Sequence, residues 1–204
     1  MMFDVVIIGG GVSGMSAALL FGSAQHKPFM ADKKIGIIVH QKTSSLQTAV
    51  FNNAYGIPAG KLGSELLEES KTQLASLYPH IQQIENEKVL EITGEKDNFT
   101  VRTNKNHYLT KNVIVGIGAG NPFTIAGLDE FVMPHQKAAP EKNRLQLKNE
   151  DYVVKPGIYV VGTLAGLRSQ LVIAAGSGAA VATDIMTLWN DNKPVQVHDA
   201  LPKE

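Results

Sequence analysis

Six residues near the start of the chain, Gly9-Gly10-Gly11-Val12-Ser13-Gly14, have the spacing G-x-G-x-x-G. That spacing suits the binding of a pyrophosphate. Gly9 permits a tight turn out of a strand, Gly11 lets the backbone approach the phosphates, and Gly14 lets the following helix pack closely on the sheet. The start of that helix then offers unpaired N–H groups and the positive end of a dipole to the anion. Val12 and Ser13, inside the turn, belong to the same candidate set. A second glycine-centred stretch lies far along the chain and includes Gly157, Gly162-Thr163, Gln170 and Ile173-Ala174-Ala175-Gly176. Gly162 ends an apolar run, and the residues from about Gln170 begin a helix of small side chains. A second helix start of this kind suits an electron-rich ring edge that gains negative charge on reduction. The alternative is that the small residues serve only close helix packing.

A ribose-binding acid is expected at the end of the second strand of a dinucleotide site. This sequence has His40-Gln41 there, followed by Lys42, Thr43, Ser44 and Ser45. His40 or Gln41 can hydrogen-bond a hydroxyl, though more weakly than a carboxylate. Lys42 with Thr43 and Ser45 instead suits a ribose phosphate, which would make the nucleotide NADP. An ordinary solvated loop is the third reading.

These residues need elements to hold them. Asp4 to Ile8 reads as a buried strand, Ser13 to Ser23 as a helix and Ile35 to Val39 as a second strand, so the opening is a strand–helix–strand unit with parallel strands. Gln41 to Asn53 is polar and irregular. A helix is expected from an N-cap at Ser64 to about Leu77, with Leu66, Leu67, Leu74 and Leu77 on its apolar face and Pro79 beyond it. Glu87–Thr93, Phe99–Thr103 and His107–Thr110 read as a small antiparallel meander, and Asn112–Ile117 as a further buried strand ending at Gly118. Asn121 to Asp151 lacks periodicity and reads as a long connection with one short strand. Ile158–Val161 is a final strand, Gln170–Trp189 a long helix, and the tail after Asn190 is polar and poorly packed. The fold class is therefore α/β: a three-layer, Rossmann-like arrangement with a parallel sheet and a small antiparallel meander.

The 204 residues suit one domain, and 44% of them are hydrophobic, enough for a core. Nineteen basic residues balance nineteen acidic ones, which gives no support for nucleic-acid binding. The absence of cysteine excludes disulfides and any dithiol relay within the chain. The six histidines are scattered, with no metal-ligand spacing, so no metal is expected. Val5 to Phe21 lacks a basic start and is broken by glycines, so neither a signal peptide nor a membrane span is expected, and a cytoplasmic location is the default. No catalytic acid or base stands out. Tyr55 reads as a residue that stacks over a ring or packs in the core, and Arg168 as a surface charge.

The stretch Val5–Leu19, the Asn53-Ala54-Tyr55-Gly56 turn and the segment Gly157–Ala180 resemble thioredoxin reductases and related pyridine-nucleotide-disulfide oxidoreductases. The chain is more closely similar to small single-domain flavoproteins of that superfamily. The resemblance implies one FAD-binding domain over residues 1–204. Gly9, Gly11 and Gly14 would hold the pyrophosphate, His40 would take the ribose position, and Val89 would meet the adenine through its backbone. Asn53 and Gly118 would lie near the flavin. Gly162-Thr163 stands where Gly-Asp is usual, and Gln170 with the Ile173-Ala174 backbone would address the ring. The connection 121–151 stands where the family inserts an NADPH domain with its cysteine pair, both of which this sequence lacks. The implied function is an FAD-dependent oxidoreductase that takes electrons from free NAD(P)H or an external partner. The alternatives are a non-catalytic flavin-binding module and an NADP-binding protein. A homodimer that shields the flavin face is a further expectation.

Overall fold

The computed structural model describes residues 2–42 and 44–198. Strand β1 (Met2–Ile8) leads through the glycine turn into α1 (Val12–Ser23) and on to β2 (Ile35–Val39). A two-residue pair, β3 (Val50–Phe51) with β4 (Lys61–Leu62), precedes α2 (Gly63–Leu77) and β5 (Gln82–Glu85). The meander is β6 (Val89–Glu95), β7 (Asn98–Thr103) and β8 (His107–Val115). Then come β9 (Val132–Pro134), β10 (Leu145–Leu147), β11 (Val153–Lys155), β12 (Ile158–Val160) and α3 (Leu171–Trp189).

The main sheet runs β11-β12-β8-β1-β2-β5; β11 is antiparallel and the other five strands are parallel. Side-chain alternation divides its faces, as period-two strands require. Val5, Ile7, Ile35, Ile37, Ile114 and Tyr159 face the helices, in a core with Phe21, Leu74, Val181 and Ile185. Val6, Ile8, Ile38, Val113, Val115 and Ile158 face the meander, in a second core with Ile92, Phe99, Val101 and Leu147. Helices, parallel sheet and meander are thus three layers with two cores, as the sequence predicts.

Several elements differ from expectation. His107–Thr110 and Asn112–Ile117 are one strand, β8, because its polar interruption is satisfied by buried Asp4 of β1. Lys111 Nζ pairs with Asp4 at 2.9 Å, and Asn112 Nδ2 donates to the Asp4 carbonyl at 3.1 Å. The first half of β8 pairs with β7 and its second half with β12, which joins meander to sheet. Helix α2 starts one residue before Ser64, with Leu62 as N-cap, because β4 runs straight into it; Glu65 accepts the Leu62 N–H at 3.4 Å. Leu67 and Leu74 are buried, whereas Leu77 is exposed. The edge strand β5 went unread because only Ile84 of its four residues is buried. The connection 121–151 contains two paired strands, β9 and β10, and buries Ile125, Leu128 and Leu147. The described part of the tail, up to His198, is better packed than its polarity suggests, since Val195 is buried in the helix-side core. Tyr55 is 97% exposed and packs on nothing.

Helix α3, of 19 residues, is, among the described residues, the one helix long and apolar enough to cross a bilayer, with mean hydropathy 1.6 over an 18-residue window. Its Val181, Ala182, Ile185 and Met186 are buried in the helix-side core, whereas Val172, Ile173 and Leu188 are exposed.

Candidate functional site

Chain order reverses at β1. From there the chain moves through β2 to β5 on one side and through β8 to β12 on the other. In open α/β sheets the crevice beyond the carboxyl ends of the strands at such a switch point is where ligands bind. Here β1, β8 and β12 end at Gly9, Gly116 and Gly162. Gly9 has φ +110°, and a methyl added to it would meet the Gly116 carbonyl at 2.4 Å, so two strand ends touch there through bare backbone.

Ser13 pins the crevice from below. It is buried, and methyls added at Gly162 and Gly116 would come within 2.8 and 3.1 Å of its Oγ. A methyl on Gly178 of α3 would overlap the Ser13 carbonyl. Ser13 thus serves the packing of α1 against α3 and the strand ends, and only this juxtaposition of remote glycines reveals that role.

Other glycines are open instead, among them two of the candidate residues. At Gly11 and Gly118 an added methyl would meet nothing within 4 Å. Gly11 is the N-cap of α1, with ordinary extended backbone, no capping side chain and no acid in the first turn. Helix α3 also starts uncapped, at Gln170, with no acid in its first turn. Its Ala174 N–H is committed to the Gln170 carbonyl at 3.0 Å. The free amides of a helix start are those before the first i→i−4 bond, here Leu171 to Ile173. Gln170 and Ile173 are exposed beside them. One apolar cavity of about 450 Å³ is lined by both helix starts, through Gly11, Val12 and Leu171, and it continues between α1 and α2 past Leu19, Leu46 and Leu66.

The remaining candidates are less directly disposed. His40 is half-buried just beyond β2. Gln41 is buried and its amide is committed: Nε2 donates to the Gly10 carbonyl at 2.6 Å, tying the glycine turn to the segment after β2. Lys42 and Ser45 are exposed, and Thr43 lies outside the described residues. Asn53 is exposed between β3 and β4. Val89 is buried at the start of β6, in register with Thr103. Gly162 has φ +70°, and its N–H donates to Ser177 Oγ at 2.8 Å. Thr163 is half-buried, and its carbonyl is 3.0 Å from His135 Nε2. Arg168 is exposed. Among the described residues no group of three His, Cys, Asp or Glu is placed to hold a metal ion.

Sequence reasoning also missed Glu87, a buried carboxylate two residues before Val89. It accepts from Thr103 Oγ1 and Asn106 Nδ2 at 2.6 Å and from the Tyr108 hydroxyl at 2.9 Å. Burial raises its pKa, but these three donors and nearby Lys105 outweigh it and hold the carboxyl below its ordinary value. The knot fixes the mouth of the meander.

The crevice combines an open glycine over one uncapped helix start, a second uncapped start and the switch point of the sheet.

Comparisons with known proteins find the same fold. An oxidoreductase from Agrobacterium tumefaciens superposes with a TM-score of 0.71 at 16% identity, covering 95% of this chain and 100% of that one. A thioredoxin reductase from Gloeobacter violaceus gives 0.71 at 14%, covering 98% of each. A ferredoxin–NADP reductase of Streptococcus pneumoniae is 29% identical over 143 residues, covering 66% of this chain. The chain spans 42% of that relative's length. The family profile described as pyridine nucleotide-disulphide oxidoreductase matches residues 3–176, from the first strand through the start of the last helix, and the chain belongs to that family.

Proposed function

We propose that residues 1–204 form a single FAD-binding domain and that the chain is a flavoprotein oxidoreductase. One observation carries the reading: two uncapped helix starts about 160 positions apart in sequence border one cavity, through Gly11, Val12 and Leu171, and the first of them follows β1, where the strand order reverses. In this reading the Gly11 turn and the amides of Val12, Ser13 and Gly14 hold the pyrophosphate. His40 lies toward the ribose, and the Val89 backbone toward the adenine. Asn53, Gly118, Gly162 and Thr163 line the flavin end, and the amides of Leu171 to Ile173 face the ring edge, with Gln170 beside them. Bound FAD supplies the electron-transfer chemistry, and the protein binds, orients and tunes it. Thr163 offers a hydroxyl where the family resemblance implies a carboxylate, so the ribityl chain is held by a neutral group. With no cysteine in the chain, electrons reach the flavin from free NAD(P)H or an external partner and leave to a substrate outside it.

The test is an absorption spectrum of the purified protein, followed by mass identification of what it releases on denaturation. A yellow protein that releases FAD is expected. A colourless protein that takes up no added FAD overturns the reading. Anaerobic addition of NADH or NADPH then separates enzyme from non-catalytic module. The module has one observation in its favour: among the described residues no Asp, Glu, His, Lys or Arg lines the cavity that the two helix starts border. Bleaching by either nucleotide supports the enzyme, and bleaching by neither supports the module or a partner-dependent enzyme.

A further inference from the structure

The turn that leads from β12 to α3, Gly162 to Gly166, is gripped from two sides. On the inner side, Ser177 Oγ accepts the Gly162 N–H at 2.8 Å and donates to the Ala174 carbonyl at 2.7 Å, tying the turn to the first turns of α3. On the outer side, three side chains of the connection between β8 and β11 reach it. His135 is buried, and its Nδ1 accepts the Lys137 N–H at 3.1 Å. That bond puts the ring proton on Nε2, which donates to the Thr163 carbonyl at 3.0 Å. Gln146 is buried, and its Oε1 accepts the Gln136 N–H at 2.9 Å. It lies against Gly166, where an added methyl would come within 2.8 Å of that oxygen. Asn149 Nδ2 donates to the Leu147 carbonyl at 2.7 Å and to the Ala165 carbonyl at 3.3 Å. The clasp is itself anchored by the β9–β10 pair, by fully buried Leu147 and by the Lys148 N–H on the Phe131 carbonyl at 2.7 Å.

We propose that His135 is a positioning residue for the flavin nucleotide. The connection is a clasp that closes on the β12–α3 turn, and the His135 bond, added to the Gly166 N–H that the same Thr163 carbonyl accepts at 3.0 Å, holds the peptide plane that follows Thr163. In the flavin reading Thr163 lines the flavin end and offers it a neutral hydroxyl. A neutral group has no long-range attraction for its partner, so it works only if its geometry is held. The clasp provides that hold through His135, Gln146 and Asn149 on the outer side of the turn. This inference rests on the flavin reading above.

Three variants test it. His135→Ala removes both ring nitrogens. His135→Gln keeps a donor near the Nε2 position, and His135→Asn keeps an acceptor near the Nδ1 position. FAD affinity is read by flavin fluorescence at a urea-free, well-folded condition, with amide exchange at Gly162 and Gly166 followed on the nucleotide-free protein. The expected result is about tenfold weaker FAD binding for His135→Ala, the scale of one lost buried hydrogen bond. Restoration to within about twofold is expected for His135→Gln and none for His135→Asn, with faster exchange at both glycines in the alanine variant. The role of His135 is overturned if the alanine variant binds FAD as tightly as the wild type, or if asparagine restores binding as well as glutamine. A wild-type protein that takes up no FAD overturns the flavin reading together with the role of His135 in it.

Discussion

The same substitution made three residues apart in the glycine turn should have opposite consequences. At Gly14 an added methyl would lie 2.0 Å from the Gly9 carbonyl oxygen, in a backbone that cannot swing aside, so helix or turn must shift by more than about 1 Å to reach ordinary contact. Overpacking of this kind costs about 1–3 kcal/mol, and the upper end applies where the obstacle is backbone. The gain of about 1 kcal/mol from replacing a helical glycine by alanine offsets part of it. A net loss of about 2 kcal/mol, with a urea slope of about 2 kcal/mol/M for a small domain, lowers the midpoint by about 1 M. At Gly11 the methyl meets nothing and the backbone is extended, so strain is absent. Alanine is a poorer N-cap than glycine, and the cost stays below about 1 kcal/mol. The methyl would nevertheless occupy the space through which a phosphate reaches the α1 amides. Loss of a hydrogen bond to a charged group, about 1.5–3 kcal/mol, weakens FAD by roughly ten- to a hundredfold. Urea titration and flavin fluorescence on Gly11→Ala and Gly14→Ala measure both axes. The reasoning fails if Gly11→Ala binds FAD like the wild type, or if it loses as much stability as Gly14→Ala.

Two further outcomes follow from buried polar groups. Ser177→Ala leaves the Gly162 N–H buried without its acceptor, at a cost of about 1–3 kcal/mol, and the urea midpoint should drop by about 0.5–1.5 M; an unchanged midpoint would mean that this bond does not hold the turn. Glu87 has a folded pKa held below its ordinary value, so its contribution to stability is complete above about 4.5 and is lost as pH falls through the lowered value. The wild-type urea midpoint should therefore fall more steeply than that of Glu87→Gln from about pH 5 downward, and parallel pH profiles would refute the assignment.

The glycine turn, the alternating strands and the small-residue helix were legible in the sequence because each is a local pattern. Spacing of glycines, period-two burial and a run of small side chains do not depend on a distant partner. Where the reading missed, the partner was distant. His107–Val115 reads as two strands until Asp4, at the far end of the chain, is placed beside Lys111 and Asn112. Strand β5 has no alternation to read because its outer residues are polar and solvated. Gln41 reads as a hydroxyl ligand but is drawn inward by the Gly10 carbonyl.

By itself the sequence determined that a G-x-G-x-x-G turn follows the first strand, that a second strand–turn–helix lies far along the chain, and that these 204 residues hold no thiol. Only the tertiary structure decided that the two turns share one crevice, with Ser13 packed under Gly116, Gly162 and Gly178. It also decided which glycines are open to a ligand and which only admit a neighbouring backbone. The physical reason is that sequence spacing reports conformational freedom along the chain. Whether the space above a bare Cα is filled by another segment or left empty depends on residues more than a hundred positions away.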